Sequence, residues 1–352
     1  MKIIFKALLL LGLITFIYFP TKNTLAQVKA DIGGYGQVWG IVTDKVESDS
    51  DGVIREVNGY RLRRGRLYAR TRINEMFSAT VWLELSTPDR ALLDYYFDVH
   101  LKPWLNIRAG QFIMSGQTHD TARLFSSLLL FHERAPITTQ LSSIMGFNAF
   151  RDIGVMAYGS HGRLWYGIHA GNGTGRFTNA GTNITQRKTG DGLYGIRLDY
   201  EIVDGITLGG HASMNRQNDL IIGSNAPVDV DRTSYSLRLA TDGFGIDRLF
   251  TQIEYAAGKQ NDTQVFDFDG YYAQVGYKMT PDFYFMIRKE QFRRVPEAGP
   301  RYKDDSITLG GLYFFKQNDR EVARLGLNYQ FGKIKPLNAD TSLILAWLQV
   351  RF

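Results

Sequence analysis

The chain has 352 residues with 41 basic and 35 acidic side chains, 13% aromatic residues and 36 glycines, and it contains no cysteine. The formal net charge of +6 is too small for a typical nucleic-acid-binding surface, so no nucleic-acid partner is expected. Without cysteine, disulfides cannot stabilise the fold, which must depend on backbone pairing and packing.

The N-terminus has the pattern of a secretory signal peptide. Lys2 and Lys6 precede an apolar run at residues 7–19, and Ala26 supplies a small residue before a cleavage site. The run is shorter than the ~20 residues that a transmembrane helix needs. We predict that residues 1–26 are removed and that residues 27–352 form one domain.

From residue 31 onward, alternation of period two recurs to the end of the chain, which predicts an all-β fold. Sixteen strands are predicted, at residues 31–42, 60–73, 76–86, 93–101, 104–112, 151–159, 163–171, 192–201, 205–215, 232–241, 249–258, 269–279, 283–291, 305–315, 321–331 and 341–352. Their lengths suit strands that cross a bilayer at a tilt, which takes ~9–11 residues.

The two faces of the predicted strands differ in polarity. Phe77 and Val81 alternate with Thr80, and Leu93 with Asp94, as in most later strands. We predict that the apolar residues face outward and the polar residues inward, the reverse of a soluble barrel. Short links alternate with longer segments, of which residues 43–59, 113–150, 172–191, 216–231, 259–268, 292–304 and 332–340 are the long ones. This order is typical of outer-membrane barrels, with periplasmic turns and outward loops. The sequence therefore predicts a transmembrane antiparallel β-barrel.

Residues 60–73, YRLRRGRLYARTRI, contain six arginines. Strand alternation places four of them on one face, which we predict to line the pore together with an inner-face arginine of strand 104–112. These predicted residues are Arg64, Arg66, Arg70, Arg72 and Arg108. Positive charge in a low-dielectric wall concentrates anions, and guanidinium groups match phosphate, sulfate and carboxylate. The alternative is that acidic side chains balance these arginines, as in many porins.

Strict alternation would turn Arg61 and Arg63 toward lipid, at a cost of roughly 2–4 kcal/mol each at the bilayer centre. Two solutions stay open. Both residues could lie at the rim or at a subunit contact, or a β-bulge near Arg63 and Arg64 could turn both inward.

Residues 113–150 are too long for an ordinary connection. They contain the apolar stretch LFSSLLLF, followed by His132, Glu133 and Arg134. We predict that this third long loop packs inside the barrel and places Glu133 and Arg134 near a constriction. The alternative is an exposed loop at a subunit interface.

Most aromatic residues at the strand ends are predicted to form interfacial girdles. Those considered are Tyr35, Trp39, Tyr95, Trp104, Tyr200, Tyr277 and Trp347, whereas Trp82 and Trp165 are predicted on the inner face. The six histidines form no metal-binding spacing, so no metal, cofactor or enzymatic activity is predicted. A barrel hydrolase using Asp94, Asp98 and His100 is the alternative, and an inner polar face explains this row.

Several segments occur in an order that resembles one known family. They are LRRGRLYARTRINEMFSATVWLEL, LLDYYFDVHLKPWLNIRAGQF, HERAPIT, RDIGVMAYG, DGYYAQVGYKMTPDFYFMIRKEQF, SITLGGLYFF and ARLGLNYQF. Together they are similar to the phosphate- and pyrophosphate-selective porins, the porin O and P family. The resemblance implies a sixteen-stranded trimeric porin whose third outward loop folds into the pore.

In that family a pair of arginines in the second strand helps to form the narrowest part of the pore, and the matching pair here is Arg63 and Arg64. No residue is matched to the family's ladder of arginines or its constriction lysine. We therefore predict a passive outer-membrane diffusion channel for small polar and anionic solutes in a Gram-negative bacterium, surrounded by membrane lipid and lipopolysaccharide. The alternative function is a plugged barrel that serves in assembly or surface interaction.

Overall fold

The computed structural model describes residues 29–47, 54–86, 91–122, 130–147, 149–176, 189–220, 228–242 and 248–352. The predicted signal peptide lies outside these residues. The described chain forms seventeen strands and two short helices. No helix among the described residues is long and apolar enough to cross a membrane.

The elements follow one another in chain order as consecutive antiparallel hairpins. The strands are β1 Lys29–Glu47, β2 Ile54–Glu56, β3 Gly59–Arg72, β4 Phe77–Glu84, β5 Leu92–Lys102, β6 Leu105–Ile113, β7 Arg151–His161, β8 Leu164–Gly171, β9 Thr189–Val203, β10 Ile206–Leu220, β11 Val228–Asp242, β12 Leu249–Asn261, β13 Val265–Thr280, β14 Phe283–Pro296, β15 Tyr302–Gln317, β16 Arg320–Lys335 and β17 Ala339–Arg351. The helices are α1 His119–Ala122 and α2 Pro136–Ile144.

The sheet closes on itself because β1 pairs with both β3 and the last strand, β17. The three-residue strand β2 pairs with the far end of β1 and extends the β1–β3 hairpin. Sixteen strands therefore form the wall, as predicted. Closure matters because hydrocarbon offers no hydrogen-bond partner to an open sheet edge.

The polarity of the wall is the reverse of that of a soluble barrel, as predicted. Large apolar side chains are exposed on the outer face, including Phe97, Ile196, Leu198, Leu237, Ile253, Val275, Phe285, Leu327 and Leu348. Polar side chains are buried on the inner face, including Asn215, Glu254, Gln274, Glu290, Thr308 and Asn328. The outer face can meet acyl chains, and the inner face can hydrogen-bond.

Leu93 was predicted on the outer face, and this prediction is wrong. The pairing of β4 with β5 shifts register at this point, since Trp82 pairs with Asp94 whereas Leu83 pairs with Leu92. The extra residue turns Leu93 inward, where it packs with Tyr35 and Trp82. A bulge thus reverses the alternation locally.

The aromatic prediction holds only in part. Tyr95, Tyr200 and Tyr277 are exposed on the outer face, and Trp82 is buried on the inner face, as predicted. Trp104 is exposed in the turn between β5 and β6. Three residues predicted for the girdles are instead buried on the inner face. These are Tyr35, Trp39 and Trp347. In β1 and β17, these residues lie an even number of positions from the buried Gln37 and Gln349, so alternation places them on the inner face with these two glutamines.

Three connections are much shorter than the sequence predicted. Most residues of the segments 259–268, 292–304 and 332–340 belong to strands. The connections themselves occupy only residues 262–264, 297–301 and 336–338. Their strands continue beyond the apolar band, where the outer face is polar and the inner face carries buried apolar residues such as Phe266, Phe268 and Phe292. The pattern of apolar residues outside and polar residues inside, which was used for prediction, is therefore reversed there. We name the end of the barrel with the 113–150 segment the long-loop end, and the opposite end, with turns at 162–163 and 281–282, the short-turn end.

The first prediction concerns the stability of the protein when a charge is placed on its outer face. Leu237 lies midway along β11 and is 62% exposed. Leu237→Arg should destabilise the folded protein in the membrane by about 2–4 kcal/mol, because the bilayer centre disfavours the charge. Equilibrium refolding into phospholipid vesicles measures the change. Leu337→Arg, in the turn at 336–338, is the matched control and should change it by less than about 1 kcal/mol. Equal effects of the two substitutions would contradict the assignment of the lipid-facing surface.

Candidate anion pathway

The arginines of β3 share the inner face because the strand contains a bulge. In the β1–β3 pairing, Gln37 lies opposite Arg64 and the next residue of β1, Val38, lies opposite Leu62. Arg63 is therefore the extra residue. The structure contains the bulge that the sequence left as one of two solutions. We call Arg61, Arg63, Arg64 and Arg66 the β3 arginine cluster.

Aromatic side chains of β1 support this cluster. The guanidinium carbons of Arg61 and Arg63 lie 4.7 and 5.2 Å from the centre of the Trp39 ring. The Arg66 Nη1 donates to the Tyr35 hydroxyl at 2.9 Å. Cation–π contact of this kind holds a guanidinium group in place without neutralising it. The inward position of Arg61 was one of the two solutions that the sequence left open, whereas its contact with Trp39 was not predicted.

Glu133 of the 113–150 segment bridges the two arginines at the bulge. Arg63 Nε donates to Glu133 Oε1 at 2.6 Å, and Arg64 Nη2 donates to Glu133 Oε2 at 3.1 Å. Arg64 also donates to the Gln37 side chain. The carboxylate is about one-quarter exposed, whereas the Arg64 side chain is buried. The segment and the family-matched arginine pair are therefore in direct contact.

The same segment contacts inner-face residues on other parts of the wall. The His132 amide donates to Asn328 Oδ1 of β16 at 3.1 Å, and Arg288 Nη1 of β14 donates to the Glu133 carbonyl at 2.8 Å. The His119 amide, at the start of α1, donates to Glu254 Oε2 of β12 at 2.9 Å. These polar contacts join the segment to strands far apart around the barrel.

Helix α2 packs against β13 and β14 through an apolar cluster. Ile137, Leu141 and Met145 are buried with Phe268 and Phe292 of the wall. The approach is close enough to require a glycine, since a Cβ at position 270 would lie 3.0 Å from Ile137 Cβ. The described parts of the 113–150 segment thus have both apolar and polar contacts with the inner face.

The remaining predicted arginines of β3 are spread along the strand. Arg66 Nε contacts Glu84 Oε2 at 2.7 Å. Arg70 stacks over Tyr68, with its guanidinium carbon 4.6 Å from the ring centre. Arg72 is exposed near the short-turn end, where it donates to the Glu75 carbonyl at 3.2 Å. Arg70 and Arg72 therefore lie away from Glu133.

Arg108 and Arg134 are held firmly in different surroundings. Arg108 donates to both carboxylate oxygens of Asp98, at 2.8 and 3.0 Å, and lies over the Tyr96 ring. Arg134 is buried and its Nε donates to the Asp120 carbonyl at 2.8 Å. A bidentate pair such as Arg108–Asp98 fixes geometry well and leaves little net charge.

The electrostatics of residues 132–134 reflect their burial and the neighbouring arginines. Burial opposes ionisation of Glu133, but Arg64 and Arg63 outweigh it and hold its pKa well below the ordinary value. Burial, together with the nearby Arg288, lowers the pKa of His132 to about 4. Burial and then Arg64 lower the pKa of Arg134 to about 10. At neutral pH, Glu133 and Arg134 are charged and His132 is neutral.

A cavity of about 980 Å³ opens between the segment and the wall. Residues of the short turns line one side, and Glu133 and Phe131 line the other, so the cavity extends from the short-turn end to the segment. Its lining mixes both signs of charge. Charged residues of the lining include Arg163, Asp199, Arg238, Lys278 and Arg288. Trp165 also lines this cavity, in agreement with its predicted position on the inner face.

The Asp94, Asp98 and His100 row does not form a hydrolytic arrangement. Asp94 pairs with Arg151 at 2.7 Å and Asp98 pairs with Arg108. His100 contacts Ser78 Oγ and Asn106 Oδ1, each at 2.9 Å. Within the described ranges, no group of three acidic or histidine side chains is placed to hold a metal ion.

Sequence comparison matches residues 43–336 to the family described as phosphate-selective porin O and P. The chain belongs to this family. The match includes the arginine pair, its partner Glu133 and all but the first and last wall strands over most of their length. No curated protein matches this chain in sequence. The family and the fold indicate a channel rather than an enzyme.

Several solved structures of outer-membrane proteins and porins have the same fold. In vitro folded OmpT of Vibrio cholerae has a TM-score of 0.65 at 13% identity and covers 92% of this chain and 98% of its own. The anion-selective porin of Comamonas acidovorans has a TM-score of 0.62 at 13% identity, covering 93% and 100%. The channel DcaP of Acinetobacter baumannii has a TM-score of 0.60 at 12% identity, covering 95% and 99%. Family and fold together identify this porin as an outer-membrane channel.

The bridging carboxylate of this porin generates the second prediction. Glu133→Gln removes the negative charge between Arg63 and Arg64, so the purified channel should become more anion-selective. The reversal potential in a salt gradient across a planar bilayer measures the shift. Glu75→Gln, at an exposed turn, removes the same charge away from the cluster and should leave the reversal potential unchanged. A shift of equal size in both variants would contradict a local role for Glu133.

The third prediction concerns pH. A depressed pKa means that Glu133 stays ionised until the pH falls through that low value. The difference in reversal potential between the unsubstituted channel and Glu133→Gln should therefore stay constant from pH 7 to ~4. Other carboxylates titrate in both channels and cancel in this comparison. A difference that disappears between pH 6 and ~4 would show that the arginines do not hold Glu133 ionised.

Proposed function

We propose that this porin is a passive, anion-preferring diffusion channel in the outer membrane of a Gram-negative bacterium. The observation that carries the proposal is the bulge at Arg63, which brings Arg61 and Arg63 to the inner face beside Arg64 and Arg66. Among the described residues, the ion pairs of this cluster are formed with two carboxylates, Glu84 and Glu133, against its four positive charges. A local excess of positive charge remains.

That excess favours anions for a physical reason. Field lines focus in a water-filled passage through a low-dielectric wall, which raises the local concentration of counter-ions. Arg63 is 29% exposed and Arg61 is exposed, so both are accessible to solutes. The carboxylate of Glu133 keeps the attraction moderate, and an anion that exchanges with it can leave again. Phosphate-like anions fit the fork of paired guanidinium groups.

The 113–150 segment serves in this proposal as the element that narrows the channel. Its contacts with β3, β12, β14 and β16 support a position across the lumen, with Glu133 beside the arginine pair. The cavity at the short-turn end then forms a vestibule on one side of the narrow part. Solutes small enough to pass beside Glu133 are the expected cargo.

The proposed surroundings follow from the barrel. Outer-membrane lipid and lipopolysaccharide contact the apolar outer face, and three copies associate as a homotrimer. OmpT of Vibrio cholerae, whose structure has the same fold, has a trimer form. Transport of this kind is passive and involves no chemical step, so the channel uses no cofactor and acts as no enzyme.

One observation favours a second candidate, a plugged barrel with a role in assembly or surface interaction. The apolar cluster that joins α2 to the wall includes sixteen buried residues, among them Phe112, Met114 and Phe147. A segment held by so much apolar contact could close the passage. Stepwise conductance of the purified protein in planar bilayers would exclude this candidate, and silence in all salts would support it.

The fourth prediction tests anion preference directly. Arg63→Ala with Arg64→Ala removes two inner-face cations, so the anion-to-cation permeability ratio should fall several-fold. Reversal potentials in a potassium chloride gradient measure this ratio. Arg293→Ala is the matched control, since this arginine lies on the outer face and pairs with Asp269.

Phosphate gives a second readout of the same variants. Added phosphate should reduce the chloride current of the unsubstituted channel more than that of the double variant, because the paired guanidinium groups hold phosphate transiently. An unchanged permeability ratio in the double variant, with conductance retained, would contradict the proposal.

A further inference from the structure

The outer face of the barrel contains a charged groove at the long-loop end. The groove lies across β14, β15, β16 and β17 and has a volume of about 490 Å³. Six charged residues line it: Lys289, Lys303, Lys333, Lys335, Asp305 and Asp340. We call it the outer lysine groove. Strand alternation places its lysines on the same face as the exposed apolar residues, outside the lumen.

The lower part of the groove is apolar. Ile307, Tyr329 and Phe331 line it on the side toward the middle of the barrel. Phe331 precedes Lys333 by two residues on the same face of β16, a distance of about 7 Å along a strand. The groove therefore joins a positively charged upper part to an apolar lower part over the height of a lipid headgroup.

The charged residues that line the groove carry an excess of two positive charges. Asp305 contacts Lys289, and its Oδ2 lies 2.7 Å from Lys303 Nζ. With Asp340, two carboxylates face four lysines. Lys333 lies directly opposite Asp305 and Asp340, whereas Lys303 lies directly opposite Lys335. Like charges opposite one another destabilise a sheet, so the bare groove favours an anionic ligand.

Two other outer-face cations in the described part of the chain lack this arrangement. Arg293 of β14 is paired with Asp269, with Arg293 Nε 2.7 Å from the carboxylate. Lys259 of β12 lies directly opposite Asp267 of β13. Each of these is a single cation facing a single acid. The outer lysine groove combines an excess of two positive charges with an apolar floor.

We propose that the outer lysine groove binds the phosphorylated headgroup of the outer-leaflet glycolipid, lipopolysaccharide. Its lysines contact the phosphates, and Tyr329 and Phe331 contact the acyl chains. Clustered lysines beside a membrane bind anionic headgroups through point-charge attraction. A free anion would not need the apolar floor, which is why the lipid is the occupant chosen. The inference rests on the proposed outer-membrane location and adds a specific lipid site to it.

The test uses the purified full-length protein and two substitutions that remove the opposed lysines, Lys303→Gln and Lys335→Gln. Affinity for bisphosphorylated lipid A is measured in detergent by native mass spectrometry and by fluorescence titration. The double variant should bind about 10-fold or more weakly. Lys259→Gln, which removes an outer-face lysine from another strand, should bind like the unsubstituted protein.

Three further readouts separate the explanations. Lipid A without phosphates should bind poorly to every variant, and inorganic phosphate at millimolar concentration should not displace bisphosphorylated lipid A. The double variant should retain its oligomeric state and its channel conductance, which shows that it folds and that the proposed channel function stands independently. Equal lipid A affinity in the double variant and the unsubstituted protein would overturn the lipid site. Loss of oligomers in the double variant would also overturn the lipid site, because it would indicate that the groove is a contact between subunits.

Discussion

The structure depends on one constraint, which is that hydrocarbon provides no hydrogen-bond partner for a peptide group. The pairing of β1 with β17 closes the sheet and removes its edges. Once the wall is closed, alternation decides the environment of each side chain, because successive residues meet lipid and lumen in turn. The exposed Leu237 and the buried Asn215 are two results of the same rule.

Because alternation is so strict, a single extra residue has large consequences. Arg63 shifts the register of β3 against β1, so Arg61, Arg63 and Arg64 face the same side. Without the bulge, two of these cations would meet lipid. The second bulge, at Leu93, likewise turns a residue inward to pack against Tyr35 and Trp82. Bulges thus decide the composition of the inner face near the arginine cluster.

The inner and outer cations of the barrel meet different counter-charges. Inside, carboxylates of the protein contact many of the arginines, as in the Arg66–Glu84 and Arg108–Asp98 pairs. These pairs fix the geometry of the wall and moderate its field. On the outer face, the lysines opposite one another at Lys303 and Lys335 exceed the available acids, and lipid phosphate is the counter-charge we propose. In the roles we propose, arginine guanidinium groups attract anions on the inner face, and lysine ammonium groups attract lipid phosphate on the outer face.

The sequence by itself determined the barrel, the number of wall strands and the inner position of Arg64, Arg66, Arg70 and Arg72, because side-chain alternation is a local property with a period of two. It also brought Glu133 and Arg134 into consideration through the length of their segment. Only the tertiary structure decided between the two solutions for Arg63, the burial of Trp39 and the contact of Glu133 with the arginine pair. A bulge is defined by the register between two strands, and Glu133 lies 69 residues from Arg64, so neither can be deduced from local pattern.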